Sequence, residues 1–98
     1  MEGDVLLDLR GDKGTFYLVV ENRKATLSFS LVSEELIADS VFTPQELRGR
    51  GIAARLTDAM VDYAEKHNLK IYPTCPYVIE YLRKRPELDR LLSPKYSR

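Results

Sequence analysis

The feature that most constrains this chain is a change of period. Over residues 15–42 apolar and polar side chains alternate, most clearly where Ala25, Leu27, Phe29 and Leu31 are interleaved with Thr26, Ser28 and Ser30. Alternation of this kind marks half-buried strands. From Ile52 onward the apolar residues Leu56, Ala59, Met60, Tyr63 and Ala64 recur every three or four positions, while Arg55, Asp58, Asp62 and Glu65 fall mostly elsewhere around the cylinder. That spacing makes an amphipathic helix. Strands joined by short polar loops and followed by one long helix imply an α/β chain of the α+β kind.

The connections fix more of the topology. Asn22-Arg23 offers a tight hairpin turn, because Asn tolerates positive φ, and Ser33-Glu34-Glu35 offers a second, polar one. Short loops force neighbours to pair, so residues 15–42 read as an antiparallel meander. Upstream, residues 5–9 add a further short strand or a docked extension, with the turn Gly11-Asp12-Lys13-Gly14 after it. On that reading residues 1–13 are an N-terminal extension and the meander has three or four strands. The helix is expected to stop near Lys66-His67-Asn68, where cations suit its C-terminus and Asn suits the left-handed position beyond. Residues 69–74 then form a strand that, reached by a helical crossover, lies parallel to the third strand of the meander and turns the sheet into a mixed one with a crevice. Pro73 and Pro76 bracket Thr74-Cys75, and Pro76 suits the first turn of a C-terminal helix carrying Tyr77, Val78, Tyr81 and Leu82 on one face. Pro86 ends that helix, Leu88, Leu91 and Leu92 dock a last turn, and residues 93–98 are expected to be a loose tail. The whole, residues 1–98, is read as one domain.

Composition narrows the function classes. With 44% hydrophobic and 31% charged residues the chain is of ordinary globular type. Its 15 basic and 15 acidic side chains cancel, so no global field draws a nucleic acid or an anionic membrane. The run Arg83-Lys84-Arg85 is read as solvated helix surface. No apolar stretch approaches the roughly 20 residues of a membrane span, and the start Met1-Glu2-Gly3-Asp4 lacks a basic leader. The single Cys75 allows neither an internal disulfide nor a cysteine-built metal site. Cytoplasmic location and no metal are the expectations.

The segment that carries chemistry is VFTPQELRGRGIAARL, residues 41–56, where a strand passes through a glycine-bearing turn into the long helix. The first amides of a helix have no intrahelical partner, and the helix dipole adds about half a positive charge there. Gly49 and Gly51 let the backbone take conformations closed to other residues and let an anion approach without meeting a Cβ, and the small Ala53 keeps the first turn open. The arginines Arg48 and Arg50 flank it. No Lys-Ser/Thr pair follows, so this is not a nucleotide P-loop. The plain alternative is a glycine loop with solvated arginines. Thr43-Pro44-Gln45-Glu46 has capping-box spacing, which gives Thr43 a turn to start rather than chemistry to do.

The run Arg48-Gly49-Arg50-Gly51-Ile52-Ala53, opening a helix after a strand, resembles motif A of the GCN5-related N-acetyltransferases, commonly Q/R-x-x-G-x-G/A. Together with P-T-C-P-Y-V-I-E-Y some twenty residues on, it looks like the short YjdJ-like branch of that superfamily. The resemblance implies that Arg48, Gly49, Arg50, Gly51, Ile52 and Ala53 wrap the pyrophosphate of coenzyme A through backbone amides. It implies that Val41, Phe42 and Thr43 pair through their backbone with the pantetheine arm and the acetyl carbonyl of acetyl-coenzyme A. Tyr81 matches the tyrosine that protonates the leaving thiolate, and Cys75 a cysteine recurrent at the cofactor crevice. The branch often carries His-Thr shortly before the position of Thr43, and here Ser40 and Val41 stand there.

The expected function is therefore acetyl transfer to an amine carried by a protein, peptide, polyamine or small molecule, by a monomer or homodimer. The alternative is a non-catalytic acyl-coenzyme A-binding module. Transfer needs a polarised carbonyl, a neutral amine and a protonated leaving thiolate. For the base, Asp39, Ser40, Glu46 and Glu80 are all conceivable, and the sequence selects none. Cys75 is either an acyl carrier activated at a helix N-terminus or a buried small hydrophobe. His67, at the far end of the long helix, is read as a C-terminal charge. Because the chain leaves no room for the helices that usually wall the acceptor side, that side is expected to be open.

Overall fold

The sheet follows from its turns. In the computed structural model, which describes residues 3–96, five strands lie side by side in sequence order: β1 (Leu6–Arg10), β2 (Lys13–Val20), β3 (Arg23–Val32), β4 (Glu35–Phe42) and β5 (Lys70–Pro73). The first four pair antiparallel, and β5 pairs parallel with β4. The hairpin turn between β2 and β3 is Glu21-Asn22, both at positive φ (53° and 64°), so it sits one residue earlier than the Asn22-Arg23 signal suggests, and Arg23 already pairs with Val20. The second turn is Ser33-Glu34, with Ser33 at φ 55°. Residues 5–9 resolve to a true edge strand, β1, and the β1–β2 turn takes only Gly11 and Asp12, leaving Lys13 and Gly14 in β2.

Gly14 is there because of Phe29. A Cβ on Gly14 would stand 2.2 Å from the Phe29 ring, which is itself fixed against Phe16 at 5.2 Å and Tyr63 at 5.9 Å between ring centroids. The core lies on one face of the sheet. Phe16, Leu18, Leu27, Phe29, Leu36 and Ile71 meet Ile52, Leu56, Met60 and Ala64 of helix α1 (Ile52–Lys66), all buried. The opposite face, with Thr15, Thr26, Ser28 and Ser30, is covered by no helix of the described residues, because two-residue turns join β1 to β2, β2 to β3 and β3 to β4. α1 ends where expected, with Asn68 at φ 56° beyond it.

Helix α2 (Pro76–Arg83) starts on Pro76 and buries Val78, Tyr81 and Leu82, but Tyr77 stands 39% exposed and leaves the face the sequence assigned it. A 3-10 segment, Pro86–Leu91, follows and buries Leu91. The expected loose tail is corrected for residues 93–96. Ser93 is buried, its N–H donates to the Ile71 carbonyl at 2.8 Å, its hydroxyl donates to Glu35, and the Tyr96 ring meets Tyr72 edge-on at 5.6 Å. These bonds tie the chain end to the β5 edge of the sheet. Residues 97–98 lie outside the described residues, as do residues 1–2 of the expected extension.

Gly14→Ala is predicted to lower stability by about 1–3 kcal/mol through overpacking against Phe29. Gly11→Ala meets no atom within 4 Å and is strained only by its φ of 63°. Thermal unfolding of the two variants checks this: Gly14→Ala should lose several degrees more than Gly11→Ala, and equal losses would contradict the packing account.

Candidate anion site and strand fork

Two local facts shape the site. The first is where β4 and β5 part. Their parallel register runs from Glu35–Lys70 to Ala38–Pro73 and stops. The Ala38 carbonyl then accepts three bonds, from the N–H groups of Thr74 at 3.0 Å and Cys75 at 3.2 Å and from the Thr74 hydroxyl at 3.0 Å. Pro76 turns the chain into α2, and Pro73 has no N–H to give. Residues 39–42 of β4 therefore have β3 on one side and no strand of the described residues on the other. The second fact is a bulge. Phe29 pairs with Ala38 and Ser28 with Ser40, so Asp39 is the extra residue of β4, directly at the fork.

Beyond β4 the chain forms a 3-10 turn, Gln45–Leu47, pinned by the fully buried Leu47. The capping-box expectation fails here: Pro44 is the N-cap, no side chain caps the turn, and the Thr43 hydroxyl is buried without a hydrogen-bond partner among the described residues. Glu46, which the box would turn back on Thr43, instead pairs with Arg23 at 3.2 Å, and a hydrogen bond from its own backbone N–H together with that guanidinium holds its carboxyl below the usual range.

Gly49 and Gly51 both take positive φ, 82° and 74°, and Gly51 is the N-cap of α1. The first helical bond runs from the Arg55 N–H to the Gly51 carbonyl at 3.1 Å. The amides of Ile52, Ala53 and Ala54 thus have no acceptor in the helix, and neither a capping side chain nor an acidic first-turn residue compensates them. A Cβ placed on Gly49 or Gly51 meets no atom within 4 Å. Both glycines line a cleft of about 210 Å³ with Thr43, Leu47, Ala54 and Tyr77. Free amides, an orphaned hydroxyl and a dipole end make it electropositive.

The flanking arginines are tethered. Arg48 Nε donates to the Thr43 carbonyl at 3.2 Å, and Arg50 forks onto Glu21 of the β2–β3 turn at 3.3 and 3.5 Å. A larger depression, about 500 Å³, lies at the other end of α1 beside Glu65, Lys70 and Arg90. Its charges satisfy one another, with Arg90 on Glu65 and Lys70 on the Arg90 carbonyl, each at 2.7 Å. The smaller cleft is the one with unsatisfied donors.

Of the residues singled out by sequence, Thr43, Arg48, Gly49, Gly51, Ile52 and Ala53 line this cleft. Arg50 flanks it, and Val41 and Phe42 lie on the free stretch of β4, Phe42 largely exposed. Cys75, buried, caps α2 at the fork. Tyr81 is not in the cleft lining. It is buried, its hydroxyl donates to Asp58 of α1, and the Arg85 guanidinium lies 3.8 Å from its ring centroid. Burial first, then the bond to Asp58 and its charge, push the Tyr81 phenol far above its ordinary value. Tyr77, one turn earlier, does line the cleft, and burial raises its phenol too. Sequence reasoning placed Tyr77 in the core because it sits at helical spacing from Tyr81. Its position in the first turn, beyond the core's edge, was the missed signal. The His67 ring lies tilted against Tyr63, 4.2 Å between centroids, remote from the cleft. Among the described residues no group of three or more His, Cys, Asp or Glu side chains could hold a metal, and no helix is long and apolar enough to cross a membrane.

The sequence profile of the family described as GCN5-related N-acetyl-transferase matches residues 15–91. The chain belongs to that family. The match runs from within β2 to the last 3-10 turn, so the cleft and the fork are parts of a GCN5-related domain. Among curated relatives, the proteins named Protein NATD1 of Gallus gallus and of Mus musculus are each 31% identical over 64 residues, 64% of this chain and 58% of theirs. Protein NATD1 of Danio rerio is 30% identical over 73 residues, covering 70% of this chain and 66% of it. The chain thus spans less than two thirds of the length of these relatives.

The Tyr81–Asp58 contact makes a pH prediction. A phenol raised in the fold favours the protonated native form, so its contribution is present in full below the ordinary tyrosine pKa of about 10 and is lost as pH rises beyond it. Tyr81→Phe is expected to melt below wild type by roughly 1 kcal/mol at pH 7–9. Calorimetry should find the gap closing above pH 10, and a gap independent of pH would contradict the assignment.

Proposed function

We propose that the chain binds coenzyme A and transfers the acetyl group of acetyl-coenzyme A to an amine. The observation that carries this is the uncapped start of α1, opened by two positive-φ glycines onto a cleft beside the free edge of β4. In this reading the amides of residues 49–53 hold the pyrophosphate, and the buried Thr43 hydroxyl, otherwise unpartnered, donates to it or to the arm. Arg48 and Arg50 add charge, Arg50 by leaving Glu21. The backbone of Val41, Phe42 and Thr43 takes the pantetheine arm as a neighbouring strand would, since the fork leaves that edge of β4 without one.

Bound acetyl-coenzyme A supplies an activated thioester, and the chain's own groups do the rest. Backbone amides at the fork orient the carbonyl. A phenol of α2 holds the proton that the departing sulfur takes. Tyr81 matches the family's tyrosine, but its hydroxyl is bonded to Asp58, whereas Tyr77 is the exposed phenol in the first turn of α2, two residues past Cys75 at the fork; we assign the role to Tyr77, with Tyr81 acting through Asp58 to fix α2 against α1. Cys75, buried at the fork, lies beside the reacting end without carrying the acyl group. The acceptor is an amine of a protein, peptide, polyamine or small molecule, reached from the face of the sheet that no helix of the described residues covers.

Coenzyme A at a hundredfold excess over its Kd is expected to stabilise the protein by about 2.7 kcal/mol in a thermal shift. Gly51→Asp, which sets a carboxylate in the anion's place, should abolish the shift, whereas Gly51→Asn, equally strained but neutral, should keep part of it. No shift in wild type would overturn the reading. Free-thiol release from acetyl-coenzyme A with amine pools separates an enzyme from a binding module: Tyr77→Phe is expected to lose roughly 100-fold in turnover with coenzyme A affinity unchanged, and Cys75→Ala to keep its turnover.

A further inference from the structure

Four groups could receive the acceptor amine, and three are unsuited to it. Glu46 is paired with Arg23 and its own backbone N–H. Glu80 lies on the solvent face of α2, held by Arg83 and within 4.0 Å of Lys84, and its carboxyl is kept below the usual range by those bonds. Ser40 is a neutral hydroxyl with no charge to offer an ammonium. Asp39 differs from all three. It is the bulged residue of β4, next to the last β4–β5 pair, and it is exposed. Its carboxylate points to the uncovered face, where the Ser30 hydroxyl donates to Oδ2 at 2.8 Å and Lys13 Nζ donates to that same hydroxyl at 3.3 Å. Ser30 orients the carboxylate without neutralising it, and no cation of the described residues pairs with Asp39 directly.

The bulge has a specific effect. Asp39 follows the alternation of Leu36 and Ala38 outward, and without the extra residue Ser40 would turn back toward the core. With it, Asp39 and Ser40 are both exposed between buried Ala38 and half-buried Val41. The outward acid thus stands with Ser40 beside it on the same face, at the place where the strands open.

We propose that Asp39 is the acceptor-binding residue: its carboxylate, oriented by Ser30 at the mouth of the fork, binds the ammonium of a cationic alkylamine, such as a lysine side chain or a polyamine, and takes its proton before attack. The proton balance is simple. An alkylammonium gives up two protons in becoming an amide; one passes through Asp39 to solvent, the nitrogen–carbon bond then forms as the carbon–sulfur bond breaks, and the other ends on the departing sulfur. The proton transfer rests on the acyltransfer reading above, whereas the binding of a cation does not.

The test uses spermidine, an alkylamine cationic at neutral pH, and p-anisidine, an arylamine that is neutral there and needs no anionic partner. Calorimetric titration of spermidine into the coenzyme A-loaded protein is expected to give saturable binding that weakens at least tenfold in Asp39→Asn, recovers in part in Asp39→Glu, and is unchanged in Glu80→Gln. In turnover, Asp39→Asn should lose at least 30-fold in kcat/KM for spermidine and less than threefold for p-anisidine. Equal losses for the two amines, or spermidine binding indifferent to Asp39→Asn, would overturn the proposal. Spermidine binding that depends on Asp39 in a protein that transfers acetyl to neither amine would support the cation site and count against the acyltransfer reading alone.

Discussion

One carbonyl oxygen organises this protein. The Ala38 carbonyl gathers the N–H groups of Thr74 and Cys75 and the Thr74 hydroxyl, and in doing so it ends the parallel pairing of β4 with β5 after four residues. The glycine-lined cleft and the stretch of β4 without a second neighbour lie beyond that point. Prolines on both sides of Thr74-Cys75 make the ending sharp, since one cannot donate to a ladder and the other starts a helix. A mixed sheet whose parallel strand pair is also its shortest is a sheet with a gap. The gap leaves a strand edge unpaired inside the fold, where a ligand rather than another chain can use it.

The gap is useful because of what converges on it. From one side comes the start of α1, whose first amides have no acceptor in the helix, with a glycine at the N-cap and no acid in the first turn. From the other comes α2, with Tyr77 over the cleft and Tyr81 fastened to Asp58, so the two helices are joined by a part-buried phenol–carboxylate contact next to the site rather than across it. Asp39, at the bulge, sets an acid on the far face. The uncapped start of α1 and the Asp39 carboxylate thus lie toward opposite faces of the sheet and approach each other at the fork. The side with unsatisfied donors suits an anion, and the side with an oriented, unpaired carboxylate suits a cation.

Much of the fold was legible in sequence, because the interactions that set it are mostly local. The strict alternation around Leu27 and Phe29, the helical spacing from Ile52 to Ala64 and the glycines at 49 and 51 are each enforced within a few residues. What escaped is set by distant partners. Ser93 is held by Glu35 and Ile71, and nothing near Ser93 announces that. Arg50 is tethered by Glu21, which only the β2–β3 hairpin brings near. The capping-box pattern at Thr43 was a true local signal overridden by burial of Leu47, which sets the turn one residue later. The bulge did leave a trace: apolar residues at 36, 38 and 41 slip by one in an otherwise regular alternation. The two tyrosines of α2 were confused because helical spacing assigns a face but not how far along the helix the core extends.

The central claim is that the uncapped start of α1 is the anion-binding end of a coenzyme A site, and amide chemical shifts report on it residue by residue. In a nitrogen–proton correlation titration with coenzyme A, the largest saturable changes are expected at the amides of Gly49, Arg50, Gly51, Ile52 and Ala53, with Thr43 and the free edge of β4 next. Changes centred instead on Glu65, Lys70 and Arg90 at the other end of α1, or none at millimolar coenzyme A, would contradict the account.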